Sequence, residues 1–145
     1  MRVAIIACLL ALSLAVSGCT VSREAVHEAA FKAFQTKDFY VTEFPSRGVV
    51  ADGLVMASTA AGINPQVEQL KTVLQSLGKK AGDQYLVVTS GNPLLAKSIF
   101  ATALKDLPDQ SLSNVHIGLV GKEAYREDVA KDIERTGADL KILTL

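Results

Sequence analysis

The chain has 145 residues, with 15 Lys and Arg against 15 Asp and Glu, so its formal charge at pH 7 is zero. That balance provides no basic field for nucleic acid or anionic lipid. Trp is absent and aromatic residues make up only 6% of the chain, which argues against a surface that stacks sugars or nucleobases.

The first residues are Met1 and Arg2, then an apolar stretch from Val3 to Val16, then Ser17, Gly18 and Cys19. A helix needs about 20 apolar residues to span a bilayer, so this shorter run reads as the core of a signal segment. Val16-Ser17-Gly18-Cys19 resembles the lipobox of bacterial lipoproteins. The resemblance implies cleavage just before Cys19, a diacylglyceryl group on its thiol and usually an acylated amine. Two other fates compete. Ala15-Val16-Ser17 fits ordinary secretory cleavage, which leaves Cys19 as an unpaired thiol in an oxidising compartment. An uncleaved anchor is disfavoured by the short run. Two or more acyl chains hold a protein stably at a membrane, where one does not. In enterobacteria-like lipoproteins, aspartate after the cysteine favours the inner membrane. Thr20 stands there, so the resemblance implies the periplasmic face of the outer membrane.

Residues 1–18 are therefore expected to be a removed signal peptide, and residues 19–145 a single lipid-anchored periplasmic domain. Such a length buries a real core. Cys8 lies in the signal, so only Cys19 would remain, with no internal disulfide and no thiolate metal site.

Ser22 is placed to cap a helix from Arg23 to about Thr36, with Val26, Ala29, Ala30, Ala33 and Phe34 on one apolar face. That face reads as docked on the core, because the helix lacks the Lys/Arg-rich polar side of interfacial helices. Asp38 to Phe44 is β-prone and closed by Pro45; after Arg47-Gly48 a second strand is expected within Val49 to Ala57. Ser58 to Gly62 then reads as a small-residue loop. Asn64-Pro65 starts a helix to Leu77, marked by Val67, Leu70 and Leu74. The pattern recurs: strand Tyr85 to Thr89, Ser90-Gly91, Asn92-Pro93, and a helix to about Leu104 carrying Leu95, Ile99 and Ala103. A third unit has strand Val115 to Val120, Gly121, and a helix from Lys122 to Arg135 marked by Tyr125, Val129 and Ile133. Leu140 to Leu145 closes the chain as a strand. Gly78 and Gly137 fall where left-handed helix caps belong. Leu86-Val87-Val88 is continuously apolar, as in a strand covered on both faces. The expected fold is α/β, one small domain of strand-loop-helix units on a mostly parallel sheet, preceded by an N-terminal helix.

In an open α/β sheet, ligands bind beyond the carboxyl ends of the strands. That edge is expected to gather Ser58, Thr59, Thr89, Ser90, Gly91, Asn92 and Lys122. Thr89 to Asn92 leads into a helix N-terminus, where free amides favour an anion; the same residues also suit plain capping and turn closure. No Walker-type or dinucleotide glycine motif is present. His27 and His116 lack ligand-like spacing, so no metal is expected, nor any cofactor. No serine elbow and no thiol nucleophile stands in the domain. The acids between Glu123 and Glu134 fit a solvated helix face, with Glu127 and Lys131 an attractive pair. Leu86 to Leu104 has the strand, turn and helix of peptidoglycan-binding domains of the outer-membrane-protein-A type. It lacks their Asp in the turn and has no Arg in the helix, so that family is not carried over.

The expected function is non-enzymatic: an accessory or scaffold subunit of an envelope assembly, such as a secretion, conjugation or cell-wall machine. Its partners would be the membrane, through lipid on Cys19, and another envelope protein. The alternative is a periplasmic binding module for an anionic small ligand or cell-wall fragment. An apolar patch, on the first helix or on an exposed edge strand, would favour the first reading.

Overall fold

The computed structural model describes residues 21–145, and the lipobox-like segment with Cys19 lies outside them. Nine elements follow in order: α1 (Arg23–Phe34), β1 (Tyr40–Phe44), α2 (Val49–Ala60), α3 (Pro65–Gly78), β2 (Gln84–Ser90), α4 (Pro93–Lys105), β3 (Val115–Val120), α5 (Tyr125–Thr136) and β4 (Asp139–Leu143). The protein is a single small α/β domain, and the four strands form one parallel sheet in the order β1-β2-β3-β4.

Strand order equals chain order, so every crossover steps the same way across the sheet. Right-handed crossovers that all step one way must leave their helices on one face. Alternate residues of the central strands report this. Leu86 and Val88 of β2, with Ile117 and Leu119 of β3, join Leu70 and Leu74 of α3 and Ile99 and Phe100 of α4 in the main core. Val87 and Val120, with Leu143 of β4, point the other way and meet α1, through Val26, Ala30 and Phe34. α2 packs against α4. Both faces of β2 are thus covered, which explains its unbroken apolar run.

The helix ends follow from local chemistry. Ser22 accepts the Ala25 N–H at the start of α1. Asn64 and Asn92 accept the Gln66 and Leu94 N–H groups, each with proline at the first helical position. Gly137 closes α5 with φ 78°. Gly78 plays another part than the expected left-handed cap. It is the last residue of α3, and a Cβ there would stand 2.2 Å from the Ser111 carbonyl oxygen. Its lack of a side chain serves close packing. α1 instead turns off at Gln35, a non-glycine with φ 57°.

One element differs in kind. The strand expected within Val49 to Ala57 is the helix α2. The stretch is apolar almost throughout, and such short runs do not distinguish buried strand from helix by periodicity. Ala51, Leu54, Met56 and Ala57 are good helix formers. Asp52 helps fix the start by reaching back to accept the Arg47 N–H at 2.9 Å. The third unit also starts later than expected: Lys122 sits in the turn, its carbonyl accepting the Tyr125 N–H at 2.9 Å. At the far end, Arg135 of α5 donates to the Leu104 carbonyl at 2.7 Å and to the Leu107 carbonyl, closing the carbonyl end of α4.

Candidate functional site

The carboxyl edge of the sheet carries a connected polar cluster. Asp52 is 2% exposed. Its carboxylate accepts from Ser46 Oγ at 2.6 Å, from the Arg47 N–H and from Asn92 Nδ2 at 3.0 Å. These bonds, Ser46 first, then Arg47 and Asn92, hold its pKa below the ordinary aspartate value against the opposing effect of burial. Asn92 is used at both ends: its Oδ1 caps α4 while its Nδ2 serves Asp52. Ser90 Oγ accepts the Asn92 N–H at 3.1 Å. A Cβ on Gly91 would lie 3.3 Å from Ser46 Cβ, so the β1–α2 and β2–α4 loops close on each other. Ser90 and Asn92 therefore spend their polar groups on the fold. Asp52, which ties them together, escaped sequence reasoning because it sits in a run that reads as a strand; the isolated acid among apolar residues was the available signal.

The other expected site residues divide between different places. Ser58 and Thr59 lie in the last turn of α2, not in a loop after a strand, as a direct consequence of the helix replacing the expected strand. Both hydroxyls donate to the Val55 carbonyl, and Thr59 Oγ1 also accepts from Asn64 Nδ2 at 2.8 Å. Lys122 borders a groove of about 550 Å³ at the carboxyl edge, with Asn92, Leu94 and Tyr125. Thr89 points to the opposite face of the sheet, into a cleft beside α1. Strand order explains why no common crevice forms. Ligand crevices in open α/β sheets open where strand order reverses, and the order of the described strands never reverses.

The most exposed apolar surface lies on α2. Val49, Val50 and Leu54 are 90%, 80% and 70% exposed, and Ile63 just beyond is 74% exposed. The only charged residue from Val49 to Ile63 is Asp52, which is buried. The helix thus turns its acid inward, with Val55 and Met56 against the core, and leaves Val49, Val50 and Leu54 outward. Gly53 lies on this outer face, and a Cβ there would meet nothing within 4 Å. A glycine inside a helix costs about 0.5–1 kcal/mol relative to alanine, and nothing within this domain requires it.

Among the described residues, no group of three or more His, Asp or Glu side chains is placed to hold a metal ion. No described helix is long and apolar enough to cross a membrane. His116 sits at the amino edge of the sheet between Asp139 (3.1 Å) and Asp83 (3.3 Å), stacked on Tyr85. Burial pushes its pKa down, but the hydrogen bonds and charges of the two aspartates outweigh that and raise it.

Comparison of the chain with protein-family models, with curated proteins and with solved structures returns no match.

Proposed function

We propose that this chain is a lipid-anchored protein of the bacterial cell envelope that works without chemistry of its own. In this reading it is an accessory or scaffold subunit of an envelope assembly, held by lipid on Cys19 at the periplasmic face of the outer membrane. The observation that carries the proposal is the outer face of α2, with Val49, Val50 and Leu54 in solvent and no charge among them. Exposed apolar clusters of this kind mark protein contacts. The bare backbone at Gly53 suits the close approach of a partner helix. The patch lies on α2, not on α1 or an edge strand where the sequence pointed. Cys19 is two residues ahead of Val21. At roughly 3.5 Å per residue, a lipid there keeps the domain against the membrane, within reach of an envelope partner.

The binding-module alternative draws less support, because Ser90 and Asn92 are already engaged in capping and with Asp52.

The test is in-cell crosslinking and pull-down of the tagged full chain, beside Leu54→Asp, Val50→Asp and Cys19→Ala. Mass spectrometry of the N-terminal peptide reads lipidation. The expected result is a diacylglyceryl mass on Cys19 and one defined envelope partner, lost in Leu54→Asp although that variant melts like the wild type. Identical capture by wild type and both α2 variants overturns the docking role, and an unmodified Cys19 thiol overturns the anchor.

A further inference from the structure

α1 lies over β3 and β4, and among the described residues this offset leaves the α1-side surface of β1 open. The result is a cleft of about 250 Å³ between α1 and β1, lined by Arg23, Val26 and His27 on one wall and by Val41, Glu43 and Thr89 on the other. That is the volume of about eight water molecules. Glu43 and Thr89 are direct cross-strand partners, so their side chains stand next to each other on one face. Thr89 is 4% exposed, and its Oγ1 has no hydrogen-bond partner among the described residues. Every other residue on this face of β2 is apolar or aromatic: Tyr85 and Val87 pack with α1. A buried hydroxyl without a partner is unfavourable, and it is relieved by whatever polar group enters the cleft. Above it, Arg23 Nη2 and Glu43 Oε2 are 3.6 Å apart, with the Arg23 side chain 87% exposed. An exposed pair of this kind contributes little and opens readily. The cleft therefore presents a cation and an anion beside two valines, with Thr89 in its lining and the Thr89 hydroxyl buried and unpaired among the described residues.

We propose that this cleft binds the zwitterionic head of an aliphatic α-amino acid. The carboxylate takes Arg23. The ammonium donates to Glu43 and to Thr89 Oγ1. The aliphatic side chain lies on Val26 and Val41. The inference is independent of the docking role of α2, since it uses the opposite face of the sheet.

The test is calorimetric titration of the full chain in detergent with three probes: leucine, N-acetylleucine, which lacks the ammonium, and leucinamide, which lacks the carboxylate. Leucine is expected to bind, with each blocked probe at least about tenfold weaker. Thr89→Val and Glu43→Gln are each expected to weaken leucine about tenfold. Thr89→Val should melt at or above the wild-type temperature without ligand, because it removes an unpaired hydroxyl from a buried site. Unchanged leucine affinity in a folded Thr89→Val overturns the proposal. So does equal binding of all three probes, which marks a merely apolar cleft. Absence of any heat with leucine at millimolar concentration also overturns it, leaving the hydroxyl to ordered water.

Discussion

Asp52 and His116 both act on folding through their protons, and with opposite sign. The folded pKa of Asp52 is depressed. Its stabilisation is complete above the unfolded-state value of 3.8 and is lost as pH falls through the lower folded value. His116 has a raised folded pKa. Its stabilisation is complete below the unfolded-state value of 6.5 and is lost as pH rises through the higher folded value. Thermal melts against pH separate the two. Asp52→Asn is expected to flatten the loss of stability on the acid side, below about pH 4. The melting-temperature gap between wild type and His116→Gln is expected to be widest near about pH 6 and to close by about pH 9. A constant gap across that range would sink the His116 assignment. Asn92 carries no charge, yet it links the two halves of the carboxyl edge. Asn92→Ala is expected to cost about 1–2 kcal/mol in chemical denaturation, from the lost cap and from one fewer donor to Asp52. Asn92→Ser keeps a capping oxygen and should recover part of that.

At the scale of elements, two helix glycines make opposite predictions. Gly53 stands on the open face of α2 with space around it. Gly53→Ala should raise stability by about 0.5–1 kcal/mol and, by thickening the docking face, weaken partner capture. Gly78 faces the Ser111 carbonyl oxygen at 2.2 Å from an added Cβ. Gly78→Ala should lower stability by about 1–3 kcal/mol, because backbone must move to admit it. Equal effects at the two sites, read by urea unfolding, would show that helix propensity alone governs both. α3 and α4 were legible in the sequence because each carries its own start signal, Asn-Pro, and an apolar face at helical spacing. α2 was not. It has no side-chain cap, and its apolar residues do not mark one side, since its buried positions include the polar Asp52 and Thr59.

At the scale of the whole molecule, the sheet divides two layers of unequal strength. Phe100 of α4 is fully buried among the crossover helices, while Phe34 of α1 closes the other face. Phe100→Ala is expected to cost about 3–5 kcal/mol and to speed hydrogen exchange throughout the sheet. Phe34→Ala should act more locally. α1 rests on the strands alone among the described elements with substantial contacts, so its amides are expected to exchange fast while those of β2 and β3 stay protected. Loss of protection in β2 and β3 to the same extent in both variants would show that α1 is part of one cooperative unit. This same lopsided cover leaves the Thr89 cleft on one face, while the one-way strand order divides the expected site residues of the carboxyl edge between separate places.

What residues 21–145 declare locally is their element type wherever caps and periodicity agree. β2, α4 and β3 follow from Asn92-Pro93 and from apolar runs bounded by Gly and Ser, because caps and turns are short-range interactions. The parallel α/β class also follows, since alternating strands and helices with short links have few ways to pack. The fate of each polar group was decided only by the tertiary structure. Asn92 reads as a cap or, less readily, as a ligand residue until Asp52, 40 residues away, is seen to accept from it. Thr89 reads as an edge residue until the register sets it beside Glu43 under α1. The stretch from Val49 to Ala57 reads as holding a strand until no sheet neighbour receives it and Val49, Val50 and Leu54 are left in solvent. The physical reason is common to all three. Burial and hydrogen-bond satisfaction depend on what approaches from distant parts of the chain, and local propensity carries no record of that approach.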